Sequence, residues 1–197
     1  TLRRTIETKP EAAEGFIDII DRNADRLHRL VEDLLDLSRI EARKVSLSPE
    51  PVLVDELVRG VFGNLGGVAE SKRTTLVVEG CGRKLRTDRK ALEQVVSNLV
   101  ENAIKYGRPE GCVTVRCEER PGGGLELSVA DDGPGISPEH LPRLFERFYR
   151  VDPGRSRAAG GTGLGLSIVK HLAEALGGSV RVSSEVGKGS AFALVLP

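Results

Sequence analysis

Asn98, Asn102 and Lys105 recur at helical spacing. On a helix turning by about 100° per residue they fall in one narrow arc, flanked by Gln94 and Glu101. Leu92, Val95, Val96, Leu99 and Ala103 fall on the other side and can face a core. A polar stripe of two amides and a lysine has a specific chemical capacity. Amide oxygens suit a hard cation such as Mg²⁺, and an ammonium group suits phosphate oxygens. Tyr106 ends the stripe. Taken alone, the helix is equally well explained by a polar face turned to water.

Two glycine-containing runs add to it. Asp131-Asp132-Gly133-Pro134-Gly135-Ile136 follows an alternating strand pattern. A carboxylate at a strand end can accept a hydrogen bond from an exocyclic amine, and the glycines let the backbone approach a planar base. By itself, Asp-Gly-Pro-Gly is an ordinary turn. Gly160-Gly161-Thr162-Gly163-Leu164-Gly165-Leu166 opens an amphipathic segment. Glycines at a helix N-terminus leave backbone N–H groups free to bind an anion, and the helix dipole assists. No Gly-Lys-Ser/Thr follows, so this is not a Walker A loop. Nor is it the dinucleotide fingerprint, because Ile168 stands where a third glycine would be needed. Between the two runs, Phe145, Phe148 and Tyr149 form an aromatic base for a lid over residues 151–159. Arg147, Arg150, Arg155 and Arg157 put positive charge on that lid, within reach of a triphosphate; for any one of them a solvated surface role is the alternative.

These groups need elements to position them. Residues 11–43 read as one long helix, in which Phe16, Ile20, Asn23, Leu27, Leu30, Leu34 and Leu37 follow a heptad seam with one polar member. Ile17, Ala24 and Val31 widen the stripe, which suits a helical bundle completed by a second copy of the chain. The alternative is a helix packed on its own globular domain. Pro49 and Pro51 mark a linker over 46–52, dividing a partial helical domain (1–45) from an α/β domain (53–197). Within the latter, Val54–Ser71, a helix capped by Asp88 and running to Tyr106, and Thr162–Leu176 read as helices. Thr75–Glu79, Lys84–Thr87, Cys112–Glu118, Leu125–Ala130, Val180–Ser184 and Ala191–Leu196 read as extended. The fold class expected is α+β: a two-layer sandwich, with one helical layer on a mixed sheet, preceded by a long bundle-forming helix.

Composition narrows the field. The 197 residues carry 29 basic and 29 acidic side chains, which disfavours nucleic acid as a partner. No run of about 18 apolar residues is present to span a membrane. Without a methionine at position 1, the chain reads as a piece of a longer protein. Cys81, Cys112 and Cys117 fit no zinc spacing and read as free thiols in a reducing compartment. His28, His140 and His171 lack any metal-ligand pattern and read as solvated structural histidines.

In order, the amide-striped helix, Asp-x-Gly-x-Gly, Phe-rich segment and Gly-x-Gly-x-Gly resemble the N, G1, F and G2 boxes of sensor histidine kinases. Their ATP-binding domain is similar to the wider fold of DNA gyrase, Hsp90 and MutL. The run Asp33-Leu-Leu-Asp-Leu-Ser-Arg-Ile-Glu41 resembles the second helix of the dimerisation and phosphotransfer domain. The resemblance implies ATP and Mg²⁺ as cofactors, with Asn102 on the metal, Asn98 supporting it, and Lys105 on the phosphates. It implies Tyr106 against the nucleotide, Asp131 on the adenine amine, and Gly133, Gly135 and Ile136 lining the base pocket. Gly161, Thr162, Gly163, Leu164, Gly165 and Leu166 would cradle the phosphates, below a lid held by Phe145 and carrying Arg147 and Arg150. The reaction implied is transfer of the γ-phosphoryl to a histidine, relayed to an aspartate on a response-regulator receiver domain. The partner arrangement implied is a homodimer on the cytoplasmic side, attached to a membrane only through segments outside this chain. Two departures stand out. Asp132 replaces the usual Asn of the G1 box, and no His-Glu-x-x-Thr-Pro acceptor motif occurs, which places the acceptor before Thr1. The alternatives are a non-catalytic nucleotide-binding scaffold and, less favoured, a gyrase/Hsp90/MutL-type ATPase. Those ATPases carry a glutamate base where this chain has Asn98. A serine kinase acting on a sigma-factor antagonist would lack the long heptad helix.

Overall fold

The computed structural model describes residues 10–41, 47–80, 82–121, 124–152 and 161–197. Helix α1 (Pro10–Glu41) realises the heptad pattern as 32 continuous helical residues. Its seam stays open to solvent over most of its length: Ile20 is 53% exposed and Leu27 63%. Among the described residues, the C-terminal turns are the part covered by the globular domain, where Leu37 joins the main core at 3% exposure. Packing of the helix on its own globular domain is thus realised, among the described residues, at one end of α1 and not along the seam.

The remaining elements are β1 (Glu50–Leu53), α2 (Val54–Lys72), β2 (Thr75–Glu79), β3 (Lys84–Thr87), α3 (Arg89–Tyr106), β4 (Cys112–Glu119), β5 (Leu125–Asp131), α4 (Gly165–Ala175), β6 (Ser179–Glu185) and β7 (Gly189–Leu196). Five strands form one sheet in the order β2-β4-β5-β7-β6, and β1 pairs with β3 in a separate ribbon. β2 and β4 run parallel while the other neighbours are antiparallel, so the sheet is mixed. The alternating strands turn Val113, Val115, Leu127, Val129, Phe192 and Leu194 inward. Against them lie Leu57 and Val61 of α2, Leu92, Val95 and Leu99 of α3, and Ile168 and Leu172 of α4, all in one buried cluster. This is the expected two-layer sandwich.

Helix α3 is tied at both ends, and that fixes its polar stripe in space. Asp88 caps it by accepting from Ala91 N–H at 2.8 Å, and its other oxygen accepts from Ser48 N–H at 2.8 Å. At the far end, Lys72 Nζ donates to the carbonyls of Ile104 (2.9 Å) and Lys105 (2.5 Å), two of the acceptors a helix C-terminus leaves unpaired.

Several local expectations change. Residues 50–52, read as linker, belong to β1, where Pro51 faces Arg86 in the ribbon; an edge position needs no N–H from proline. Helix α4 begins at Gly165 and not at Thr162, because Gly163 has φ +81° and the Thr162 hydroxyl accepts from Leu164 N–H at 3.2 Å. Cys117 is disulfide-bonded instead of free, whereas Cys112 is a free thiol. Linear spacing says nothing about Cα proximity, which is what decides pairing. Cys81, residues 1–9 and most of the lid, including Arg155 and Arg157, lie outside the described residues. Among the described residues, no helix is long and apolar enough to cross a membrane.

Candidate functional site

Three elements converge on one cavity of about 460 Å³, a size within the usual range for small-molecule sites. From α3 come Asn98, Asn102, Lys105 and Tyr106; from the end of β5 and the following turn come Asp131, Gly135 and Ile136. From the loop into α4 come Gly161, Thr162, Gly163, Gly165 and Leu166, with Arg150 across from them. Of the other candidates, Leu164 is fully buried in the core, Gly133 sits behind Asp131, and Phe145 packs edge-on against Phe192 at 6.4 Å. Arg147 is exposed and does not line the cavity.

Tight contacts explain several glycines. A Cβ on Gly165 would stand 3.2 Å from Asn98 Oδ1 and 3.9 Å from Asn102 Nδ2, so the start of α4 abuts the amide stripe. Gly163 occupies left-handed space at φ +81° and its carbonyl accepts from Phe148 N–H at 2.9 Å, which ties the aromatic segment to the glycine loop.

The charged groups are held individually. Lys105 Nζ lies 2.7 Å from Glu101 Oε1, and the lysine side chain is only 18% exposed. Asp131 Oδ1 accepts from Gly133 N–H at 2.9 Å. Burial pushes the Asp131 carboxyl above its ordinary value, against the hydrogen bonds from the backbone N–H groups of Gly133 and Ser190. Burial likewise raises the Tyr106 phenol. Asp132, the departure from the usual motif, is turned away: Arg108 Nη2 lies 2.6 Å from its Oδ2, and its Oδ1 accepts from Cys112 N–H at 3.0 Å. Its extra charge is therefore held in an ion pair outside the cavity, while its proximity adds to the upward shift of the Asp131 carboxyl.

Residues that pattern alone does not pick out complete the walls. Ser190 and Phe192 of β7 line the cavity beside Asp131; Tyr149, already singled out as part of the aromatic base of the lid, lines it as well. A strand serine or phenylalanine carries no local mark of such a role. Arg29, Glu32 and Asp33 of α1 form a further wall. Thr162 Oγ1 donates to Asp33 Oδ2 at 2.6 Å, and Gln94 Nε2 donates to Asp36 Oδ2 at 2.8 Å. Burial raises the Asp33 carboxyl; the Thr162 bond and Lys105 oppose this, while Glu101 and Asp36 add to it. His28 behaves as expected, exposed beside Glu32 of its own helix, whereas His171, near Glu174 of its own helix, is only partly exposed. His140 departs from the expectation too, since it bonds Tyr149.

The fold and this juxtaposition define the class. A family profile described as histidine kinase-, DNA gyrase B- and HSP90-like ATPase matches residues 87–197, and the chain belongs to that family. A second profile, the His Kinase A (phospho-acceptor) domain, matches residues 1–43, so the two together make the core of a sensor histidine kinase. Sensor protein SrrB of Staphylococcus aureus (strain MRSA252) is 35% identical over 98% of this chain and 33% of its own length. The chain thus spans about a third of the curated relatives it matches. The crystal structure of full-length ShkA in complex with AMPPNP is similar with a TM-score of 0.82 and 31% identity, over 94% of this chain and 39% of that one. A mycobacterial sensor histidine kinase, MprB, is 33% identical over 76% of this chain and 97% of its own, with a TM-score of 0.65.

Proposed function

We propose that this core binds Mg-ATP in the cavity between α3, β5 and α4 and directs its γ-phosphoryl group to a histidine nitrogen. The observation that carries the proposal is the meeting of three unlike groups around one space: a half-buried carboxylate at the end of β5, an amide-and-lysine stripe on α3, and glycine N–H groups before α4. In this reading Asp131 accepts from the adenine amine, and Gly133, Gly135 and Ile136 shape the base end. Asn102 offers its amide oxygen to Mg²⁺ with Asn98 in support. Lys105 exchanges Glu101 for phosphate oxygens, and Tyr106 and Arg150 flank the nucleotide. Gly161, Thr162, Gly163, Gly165 and Leu166 form the phosphate cradle over the N-terminus of α4. Phe145, Arg147 and Leu164 act from outside the cavity as supports. The bound nucleotide supplies the transferable group and its metal the neutralising charge; the chain supplies position and preorganised donors.

The acceptor is a histidine set in the His-Glu-x-x-Thr-Pro context; His28, the sole histidine within the matched residues 1–43, has no such context. The phosphoryl group then passes to an aspartate on a response-regulator receiver domain. The open seam of α1 is covered by the same helix of a second copy, giving a homodimer. The test is ATP labelled at the γ-phosphate, mixed with this chain and a longer version of the protein carrying Asn102→Ala. Acid-labile, base-stable label on the longer chain is expected. If the longer wild-type protein, incubated alone, also stays unlabelled, the kinase proposal fails.

A further inference from the structure

His140 lies outside the cavity, yet it is joined to a residue that lines it. Its Nδ1 stands 2.7 Å from the Tyr149 hydroxyl, and its side chain is only 27% exposed. Arg143 covers the same ring: its guanidinium carbon is 4.3 Å from the Tyr149 centroid, at cation–π distance. That guanidinium is itself held by Glu146, at 3.1 Å from Nε and 3.0 Å from Nη2. The backbone repeats the connection, because Arg143 N–H donates to the His140 carbonyl at 3.0 Å in a short 3₁₀ turn. Tyr149 is thus fixed at its hydroxyl by a histidine and on its ring by a cation.

Tyr149 also opens a stretch of cavity wall, since Tyr149, Arg150, Val151 and Asp152 all line the space. The residue before them, Phe148, sits at φ +61° and is bound to the Gly163 carbonyl. A non-glycine residue in left-handed space persists only where its surroundings hold it. The wall is therefore set by the Phe148 backbone at one point and by the Tyr149 side chain at the next.

We infer that His140 is a positioning residue of the nucleotide site: through the Tyr149 hydroxyl it fixes the wall that carries Tyr149 and Arg150. This rests on the ATP site proposed above. His140 does not line the cavity, so its loss acts on nucleotide binding only through the wall that Tyr149 and Arg150 form.

The test uses calorimetric titration of the chain with Mg-AMPPNP. His140→Ala and Tyr149→Phe are each expected to raise Kd by about three- to tenfold, the range of one neutral hydrogen bond. The double variant is expected to be no worse than either single one, since both remove the same bond. His140→Asn, which can place an amide group where Nδ1 now lies, is expected to restore most of the affinity. A general loss of folding would not be rescued this way. The chain has two tyrosines and no tryptophan, so in a Tyr106→Phe background tyrosine emission reports Tyr149 alone. That emission is expected to change with His140→Ala and to recover with His140→Asn. Additive single effects, or His140→Ala with Kd within twofold of wild type, would overturn the role. A wild-type chain that binds no Mg-AMPPNP would overturn the ATP site as well; where wild-type binding is present and is abolished by Asn102→Ala, a failure at His140 counts against His140 alone.

Discussion

Replacing Asp131 by asparagine separates the base contact from the fold. The asparagine keeps one carbonyl oxygen, and Gly133 N–H, now 2.9 Å from Asp131 Oδ1, holds that oxygen. The amide NH₂ then takes the place of the second carboxylate oxygen. Against the adenine amine, two donors meet and neither is satisfied. The lost interaction is a hydrogen bond to a charged group in a half-buried site, worth about 1.5–3 kcal/mol. Kd for Mg-AMPPNP should therefore rise by about ten- to 150-fold. A base with a carbonyl at the same position, guanine or hypoxanthine, meets a donor instead and should lose much less. The unliganded chain should be no less stable at pH 7 than wild type. Burial raises the Asp131 carboxyl, so the ionised form detracts from folding, and a neutral amide relieves this. Calorimetric titration with the ATP and GTP analogues, together with thermal unfolding, measures all three. An Asp131→Asn variant that binds Mg-AMPPNP within threefold of wild type would refute the assignment of Asp131 to the base.

The pH dependence carries opposite signs for folding and binding. Asp131 and Asp33 both have raised folded-state pKa values, so the stability of the unliganded chain should fall as pH rises from the ordinary aspartate value of 3.8 through those values. Nucleotide affinity should fall in the other direction, as pH drops through the Asp131 pKa, and calorimetry across that window in wild type and Asp131→Asn checks it. Asp33→Asn keeps an acceptor for Thr162 while removing a negative charge beside the phosphate cradle, so Mg-AMPPNP should bind more tightly. About 1 kcal/mol of relieved repulsion corresponds to about fivefold, and weaker binding would contradict the placement of the phosphates. Gly135→Ala puts a Cβ against the Glu185 carbonyl at φ +71°, where left-handed backbone alone costs about 1–2 kcal/mol. A lowered unfolding midpoint with loss of nucleotide binding is expected; unchanged values would contradict this close approach. Leu27→Glu places a charge in the exposed seam of α1 and should abolish the homodimer proposed above, read by sedimentation, with the α/β domain still folded.

Much of the fold is legible in the chain because its signals are local. The 3.6-residue period of α1 and α3, the alternation in β4 and β5, and Asp88 before α3 act among near neighbours, through backbone sterics, capping and the side on which apolar groups fall. The amide stripe and the glycine loop are recognisable for the same reason: each is a short motif whose chemistry is complete within a turn or two. The start of α4 is not legible in this way, because a single glycine in left-handed space and a threonine hydroxyl hold the backbone out of the helix. Nor are the disulfide at Cys117 and the partnership of His140 with Tyr149, since a side chain's partner is not written in its own segment.

The sequence by itself determined which elements form, which faces of them are apolar and which residue types stand ready at their ends. Only the tertiary structure decided that Asp131, Asn98 and Gly165 share one cavity, that Ser190 and Phe192 close its side, and that Asp33 reaches Thr162 across 129 residues. The difference is physical. Local structure is set by a few dihedral angles and contacts a turn apart. Distant groups meet only where the packing of three helices on a twisted sheet brings them, and that packing belongs to the whole core at once.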